Sequence, residues 1–243
     1  AGAGSAAAAV AAIGIAMVVV LATSGTGGSG SPVGAPPTTS EQPTGGEPSK
    51  TDTSWPNGQP DRTARNGPEF DNGQALLAAL TEVVPEGYDA PEDLSYEEPG
   101  YSGGPLRFSQ ASYEDTVDGQ EVWRYLADQP ITKGNGVGRM FVETVTPGNG
   151  AAGEGCALSP TLWGMEGECT EQVVGGERIG VFTATGDRRD FHSWAGYLAD
   201  DGTVVYVAQG RDYPGSGRPA LATAPLSAEQ LAELAADPRF RLD

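Results

Sequence analysis

The sequence predicts an α+β domain, an antiparallel meandering sheet of about six to seven strands with an N-terminal and a C-terminal helix. It also predicts a transmembrane helix and a disordered linker before this domain. Three observations lead to this architecture. Apolar runs flank two-residue turns in the second half of the chain, leucines recur at helical spacing at both ends of that region, and residues 1–40 carry no charged side chain.

The first element, between Ala6 and Ala22, contains only Ala, Val, Ile, Leu, Met and a single Gly. As a helix it would span about 25 Å, near the lower limit for the hydrocarbon core of a bilayer. We expect residues 1–22 to be a signal anchor in the cell membrane, with the rest of the chain outside the cytoplasm. A signal peptide cleaved after Val20-Leu21-Ala22, which would release a secreted protein, and a buried helix of a soluble domain remain alternatives.

Residues 23–70 form the second segment, in which 31 of 48 residues are Gly, Pro, Ser or Thr. Such a composition buries too little apolar surface to offset the entropy that ordering the chain would cost. We therefore expect a disordered spacer that holds the following domain clear of the membrane.

Residues 71–243 form the third segment, an acidic extracytoplasmic domain that opens with a helix. Asp71 is placed to cap this helix, and Gln74 follows at the third position after it. Apolar residues then recur at helical spacing: Leu76, Leu77, Leu80, Val83 and Val84. Pro85 and Gly87 end the helix.

Three turn dipeptides predict three hairpins: Asp118-Gly119, Gly175-Gly176 and Asp201-Gly202. Their strands are residues 106–116 and 120–126, 170–174 and 177–184, and 193–198 and 203–208. A further strand covers residues 137–145. The run from Val204 to Val207 shows no alternation of apolar and polar residues, which indicates a central strand that is covered on both faces.

The last element is a helix with strong end signals. Ser227 is placed to cap it, and Gln230 completes a capping box. Leu226 and Leu231 bracket the start as a hydrophobic staple. Asp237, followed by a proline, ends the helix.

The charge of the chain excludes some partners. It has 14 Lys and Arg against 33 Asp and Glu, a formal net charge of −19. Nucleic acids and anionic lipid headgroups attract basic surfaces, so we predict no nucleic-acid partner.

The two cysteines, Cys156 and Cys169, predict a structural disulfide, because isolated cysteines outside the cytoplasm most often pair. Two free buried thiols, or a redox or metal role, are the alternatives. The redox role is disfavoured because no Cys-x-x-Cys spacing occurs. With one His and two Cys in the chain, all-His or all-Cys metal clusters are excluded, and we predict no metal and no cofactor.

Catalytic candidates are few. Asp190 and His192 would share one face of a strand, whereas Ser193 would point to the other and could not serve His192 as a nucleophile. No Gly-x-Ser-x-Gly elbow supplies another nucleophile. We therefore predict no catalytic residues, with an extracytoplasmic hydrolase as the alternative class.

An acidic run and a glycine-rich run carry weaker hypotheses. The acids could hold Ca²⁺, although a solvated loop is the simpler interpretation, and the adjacent pair Glu97 and Glu98 lacks the opposed geometry of a glycosidase. The glycines at 134, 136 and 138 lack the lysine of a phosphate-binding loop and predict a loop before a strand. The acids of the run are Glu86, Asp89, Glu92, Asp93, Glu97 and Glu98.

Aromatic residues are the remaining candidates for binding. A groove for a glycan or peptide could be lined chiefly by Trp123, Trp163, Trp194 and Tyr197, with Tyr125, Tyr206 and Tyr213 nearby. The alternative is that most of these side chains form the core, since a domain of this size needs large apolar residues.

Four features together carry a resemblance. They are the apolar run with its Gly/Pro/Thr-rich tail, the helix from Leu76 that ends in Val-Pro-Glu-Gly, the cysteine pair before a strand, and the ending from Pro225 to Leu231. In these features the chain resembles membrane-anchored extracytoplasmic proteins of high-GC actinobacteria. Some related chains accompany sigma-factor regulation, so the resemblance implies a sensor role. We expect a non-catalytic envelope domain that senses or binds a ligand or an envelope protein.

Overall fold

The computed structural model describes residues 62–97, 104–159, 161–185 and 191–242. The predicted transmembrane helix and most of the predicted linker lie outside these residues. Over the described ranges, no helix is long and apolar enough to cross a membrane.

The described chain forms seven strands, two α-helices and two short 3₁₀ helices. In chain order these are α1 (Pro68–Glu82), β1 (Phe108–Val117), β2 (Gln120–Lys133), β3 (Gly136–Val145), a 3₁₀ helix (Leu162–Gly164), β4 (Gly167–Val174), β5 (Glu177–Ala184), β6 (Ser193–Leu198), β7 (Val204–Gly210), α2 (Ala228–Ala235) and a second 3₁₀ helix (Pro238–Phe240).

All seven strands belong to one antiparallel sheet with the order β1-β2-β3-β7-β6-β5-β4. Two meanders, β1 to β3 and β4 to β7, therefore meet where β3 pairs with β7. The predicted α+β class with an antiparallel meander is confirmed. The prediction that residues 204–207 form a covered central strand is also confirmed, because every residue of β7 is buried.

The start of α1 differs from the prediction. The helix begins at Pro68, and the residue before it, Gly67, has a φ of 82° and caps it without any side-chain hydrogen bond. The cap predicted at Asp71 is wrong, because proline at the first helical position suits the fixed φ and the unused N–H there. Further upstream, the N–H of Ala64 donates to the carbonyl of Ala111 at 2.8 Å. The folded part thus reaches back into the stretch assigned to the linker.

The predicted capping box of α2 is confirmed. The N–H of Gln230 donates to the Ser227 hydroxyl at 3.2 Å, and the Ser227 N–H donates to Gln230 Oε1 at 2.9 Å. Leu226 and Leu231 are both buried beside this start. The helix ends at Ala235, before the Asp-Pro pair, as its sequence indicates.

Both α-helices cover the same face of the sheet. α1 packs on β1, β2 and β3, and α2 packs on β4 to β7. The other face is covered by the connection between β3 and β4, which buries Leu158, Leu162 and Met165 against the sheet residues Trp194 and Tyr206. We call this second side the loop-covered face.

A disulfide ties that connection to the sheet. Cys156 lies in the connection and Cys169 lies in β4, and their sulfurs are bonded with the Cα atoms 5.8 Å apart. The predicted pairing is confirmed, and both cysteines are used by it. The bond therefore holds the cover of the loop-covered face against the outermost strand on that side.

Candidate functional site

Four charged residues lie together on the loop-covered face: Arg124 and Asp128 of β2, and Arg139 and Glu143 of β3. The register places Asp128 opposite Phe141 and Arg124 opposite Val145. Because side chains alternate between the faces of a strand, all four charged side chains point to the same side. We call these four residues the charged stripe.

Asp128 and Arg139 form a buried ion pair at one end of the stripe. Arg139 Nη2 lies 2.7 Å from Asp128 Oδ2, and the two side chains are 11% and 2% exposed. Two polar atoms of this pair, Asp128 Oδ1 and Arg139 Nε, have no hydrogen-bond partner among the described residues. The nearby Tyr213 hydroxyl gives its only proton to the carbonyl of Leu106, at 2.5 Å. The pair thus keeps one acceptor and one donor unused.

Burial dominates the electrostatics of this carboxylate. Removal from water raises the pKa of Asp128 from its ordinary value of 3.8 to about 6, and Arg139 and Tyr213 oppose that rise only in part. Burial likewise raises the pKa of Tyr213. Burial therefore disfavours the charged form of Asp128. Functional carboxyl groups are often found in such desolvated environments.

Glu143 is the buried acid at the other end of the stripe. The indole N–H of Trp163 donates to Glu143 Oε2 at 2.8 Å, and Arg124 Nη1 lies 3.7 Å from the same oxygen. Arg124 also lies 3.1 Å from Glu114, so one guanidinium is shared by two acids. Burial raises the pKa of Glu143, and Arg124 and the indole partly offset this.

Aromatic rings cover the centre of the stripe and link its two ends. Phe141, Trp163 and Phe191 pack together with ring centroids 4.9 to 5.3 Å apart. The Arg139 guanidinium lies over the Phe191 ring, 4.2 Å from its centroid, a distance typical of a cation–π contact. Trp163 therefore joins Glu143, through its N–H, to the aromatic group on which Arg139 rests.

The backbone of Trp163 adopts an unfavourable conformation. Its φ of 50° is left-handed, and within the described residues Asp118 is the only other non-glycine residue with positive φ. Asp118 lies in a hairpin turn that requires such a φ. Trp163 and Gly164, with φ values of 50° and 66°, are likewise the central residues of a turn that the Met165 N–H closes on the Leu162 carbonyl at 3.0 Å. A left-handed non-glycine residue costs about 1–2 kcal/mol. This turn thus places the Trp163 side chain on the charged stripe in a backbone conformation that non-glycine residues disfavour.

The four aromatic residues predicted to line a groove do not share one surface. Trp163 and Trp194 lie on the loop-covered face, whereas Trp123 and Tyr197 pack on the side that the α-helices cover. Trp194 is 0% exposed and stacks on Phe182. Of the four, only Trp163 contacts the charged stripe, through Glu143.

The other sequence candidates lie apart from the stripe or outside the described residues. The His192 side chain is exposed, and the backbone N–H of this residue donates to the backbone carbonyl of Gln209. Asp190 and Glu98 are not among the described residues. Glu92 forms an exposed ion pair with Arg107 at 3.8 Å. Over the described ranges, no three or more His, Cys, Asp or Glu side chains are placed to hold a metal ion.

The four residues of the charged stripe are not among the candidates that the sequence predicts. The signal of the stripe is a charged residue inside an otherwise apolar strand: Asp128 two residues after Leu126, and Glu143 between Val142 and Thr144. Charges at such positions are buried when the strand is central, and buried charges need partners. A search for isolated charges in apolar runs could therefore have found both acids.

Comparison with known proteins identifies no family for this chain. No protein-family model matches it, and no curated protein or solved structure is similar to it. The chemistry assigned to the charged stripe therefore rests on its own side chains.

Acidification is expected to stabilise the fold through Asp128. The pKa of Asp128 is higher in the folded chain than in the unfolded chain, so the folded state takes up its proton first as the pH falls. The contribution of Asp128 to the free energy of unfolding is greatest below about pH 4 and is lost as the pH rises through about 6. Between pH 7 and pH 5 the gain is about 1 kcal/mol. Urea unfolding of the oxidised chain at both pH values would measure it.

Asp128→Asn supplies the control, because it removes this titration while every other acid still titrates. The gain on acidification should be smaller in Asp128→Asn than in the native chain by about that 1 kcal/mol. Equal gains in the two proteins would contradict the assignment to Asp128.

Proposed function

We propose that this protein is a non-catalytic, membrane-anchored domain of the cell envelope that binds a ligand or a protein partner through the charged stripe. The observation that carries the proposal is the buried Asp128–Arg139 pair, which keeps an acceptor and a donor unused beneath aromatic side chains. Buried polar groups in folded proteins are nearly always hydrogen-bonded. Two such atoms without a partner in the described structure are therefore expected to bind a polar group from outside the chain.

The location outside the cytoplasm is supported by two features. The Cys156–Cys169 disulfide is typical of oxidising compartments, because cytosolic thiols are kept reduced. The apolar run between Ala6 and Ala22 would hold the chain on the membrane.

The mass of the protein, isolated without reductant, should lie two daltons below that of the reduced chain. The protein should also stay in carbonate-washed membranes of the native host, and recovery in the culture medium alone would contradict the anchor.

The unused atoms define the chemistry of the ligand. Asp128 Oδ1 is able to accept a hydrogen bond and Arg139 Nε is able to donate one. The ligand should therefore offer both a donor and an acceptor. An unsatisfied buried polar group costs about 1–3 kcal/mol, and a ligand that pairs with both atoms would recover this free energy. A small polar group presented by a larger molecule of the envelope meets this requirement.

Trp163 is the side chain that we expect to respond to binding. It is half-buried, it covers the stripe through its bond to Glu143, and its backbone is already strained. Strained residues held only by their surroundings are common at binding sites. Displacement of its indole from the Glu143 carboxylate should therefore change the tryptophan fluorescence.

The proposal is tested by thermal melting of the oxidised chain with Ca²⁺, soluble cell-wall fragments and phospholipid headgroups. A ligand at 100 times its Kd adds about 2.7 kcal/mol of stability, which should raise the midpoint by more than about 5 °C. The test variant is Asp128→Leu with Arg139→Met, which replaces the ion pair by apolar residues of similar size. Such replacements of buried pairs are usually tolerated, so this variant should fold and yet lose the shift.

A matched control removes an exposed ion pair, Glu171→Gln with Arg178→Met, which lies 2.6 Å apart in the native chain. This variant should keep the full shift. A shift that persists in the Asp128/Arg139 variant would contradict binding at the stripe. If none of the small probes shifts the midpoint, crosslinking in native membranes should give a protein adduct that the Asp128/Arg139 variant loses.

A further inference from the structure

We propose that the outer edge of β4 binds an extended, basic segment of a partner protein as an eighth strand. β4 (Gly167–Val174) is the last strand of the sheet on its side. Proteins often recognise extended peptides by adding a strand to an exposed sheet edge. This inference goes beyond the proposed ligand site, because it uses no residue of the charged stripe.

The register shows which backbone groups of β4 face outward. Val174 and Glu177 close the two-residue turn between β4 and β5 and therefore form a hydrogen-bonded pair. Every second residue back along β4 shares that inward direction. Cys169, Glu171 and Val173 accordingly direct their N–H and C=O groups away from β5, and no other backbone group in the described part of the chain bonds to them.

The opposite edge of the sheet, at β1, is covered by another part of the chain. The segment from Arg62 to Ala64 lies along β1, where the N–H of Tyr113 donates to the carbonyl of Arg62 at 3.0 Å. The chain therefore covers its β1 edge with its own backbone. Seven strands at about 4.8 Å spacing place β4 about 29 Å from β1, so the segment from Arg62 to Ala64 does not cover the β4 edge.

Charge favours a basic partner over a second copy of the chain. Residues 154–178 contain five acids, all exposed, and one base, Arg178, which already pairs with Glu171. Two copies paired antiparallel about Glu171 would place these two carboxylates opposite each other, and like charges at opposed positions are destabilising. A basic strand instead gains attraction along the whole edge. Val173, 70% exposed, adds an apolar contact.

The test uses two fluorescent eight-residue peptides that carry the same charge. One alternates lysine and valine and can pair as a strand, and the other alternates lysine and proline and cannot. Binding to the full oxidised chain is measured by fluorescence anisotropy. Hydrogen exchange of the amides of Cys169, Glu171 and Val173 reports where the peptide binds.

Val173→Pro removes an outward N–H and should leave the β4–β5 hairpin intact, because proline is tolerated on an edge strand when its nitrogen faces solvent. Val173→Thr is the matched control, since it keeps the N–H and the preference for a strand. Glu168→Lys with Glu177→Lys tests charge without touching the backbone. Thermal melting confirms that each variant is folded.

We expect the lysine–valine peptide to bind and to slow exchange of the three amides by at least about tenfold. Val173→Pro and the double lysine variant should each weaken binding by at least about tenfold, and Val173→Thr by less than about threefold. The proposal is overturned if the two peptides bind equally well, if Val173→Pro binds as the native chain does, or if no binding occurs up to about 1 mM peptide. Failure of the Asp128/Arg139 test would leave these outcomes unchanged, because the two sites share no residue.

Discussion

Arg139→Met is expected to lower the free energy of unfolding by about 1–2 kcal/mol at pH 7. Without its cation Asp128 takes up a proton to stay buried, and its native pKa of about 6 makes that uptake cost about 1.4 kcal/mol at pH 7. Asp128 is 2% exposed and lies 2.7 Å from Arg139. Its other oxygen has no hydrogen-bond partner in the described structure, and the nearby Tyr213 hydroxyl gives its proton to the Leu106 carbonyl. Urea unfolding of the oxidised chain at pH 7 would measure the loss.

Replacing both partners should restore most of this stability. In Asp128→Leu with Arg139→Met no charge remains to be desolvated, and buried ion pairs exchanged for apolar residues are often neutral or stabilising. We expect the double variant to unfold within about 1 kcal/mol of the native chain or above it. The exposed pair of Glu171 and Arg178 gives the comparison, because solvent screens this pair and loss of Arg178 should change stability much less.

Two outcomes would contradict this account of the pair. A loss in Arg139→Met no larger than that in Arg178→Met would mean that Asp128 is solvated in the folded chain. A double variant as unstable as the single variant would mean that Arg139 acts through packing on Phe191, from whose ring centroid it lies 4.2 Å, and not through its charge.

Local chemistry explains which parts of the fold could be predicted from the sequence. The three hairpins around Asp118-Gly119, Gly175-Gly176 and Asp201-Gly202 form where expected, because each loop depends on positive φ at the turn itself. The first two close with two-residue turns, whereas the loop between β6 and β7 covers residues 199–203 and has its positive φ at Gly202. The capping box at Ser227 was likewise readable from four consecutive residues. In both cases the determinants lie within a few positions of one another.

The start of α1 was mispredicted because two signals compete there. Asp71 satisfies a capping pattern, but Pro68 preceded by Gly67 allows the helix to start one turn earlier. The earlier start places Glu69 next to β2, where it accepts a hydrogen bond from the Tyr125 hydroxyl. Contact with the sheet is a tertiary effect, which the capping pattern does not contain.

The charged stripe was missed because β2 is longer than its sequence predicts. The predicted strand ends at residue 126, whereas β2 extends to Lys133 and includes Pro130, a residue that normally argues against a strand interior. Lys133 and Gly136 close the next turn, so Pro130 directs its missing N–H away from β3. The pairing of β1 with β2 ends at Asp128, so no strand needs that N–H. Only the register of three strands reveals this, and only that register brings Asp128 to Arg139.

Trp194→Ala is expected to lower the free energy of unfolding by about 3–5 kcal/mol, a loss typical of truncating a large buried aromatic residue. Trp194 is 0% exposed, and its ring stacks on Phe182 at 5.3 Å between centroids. Its indole N–H, however, has no acceptor in the described structure. Urea unfolding of the oxidised chain would measure the loss.

Trp194→Phe should cost much less, below about 1.5 kcal/mol, for two reasons. Phenylalanine keeps the stacked ring, and it removes a buried donor whose lack of a partner already costs about 1–3 kcal/mol. A loss in Trp194→Phe close to that in Trp194→Ala would show that the N–H is satisfied in solution.

The two tryptophans of the loop-covered face should separate packing from binding. Trp194 is fully buried, so Trp194→Phe should leave ligand-induced shifts of the melting midpoint unchanged. Trp163→Phe removes the hydrogen bond to Glu143 and should change those shifts, because the buried carboxylate then keeps only the Arg124 guanidinium, 3.7 Å away, as a partner. If Trp194→Phe abolished binding while Trp163→Phe preserved it, the ligand would lie beneath the cover, next to β6, and not at the charged stripe.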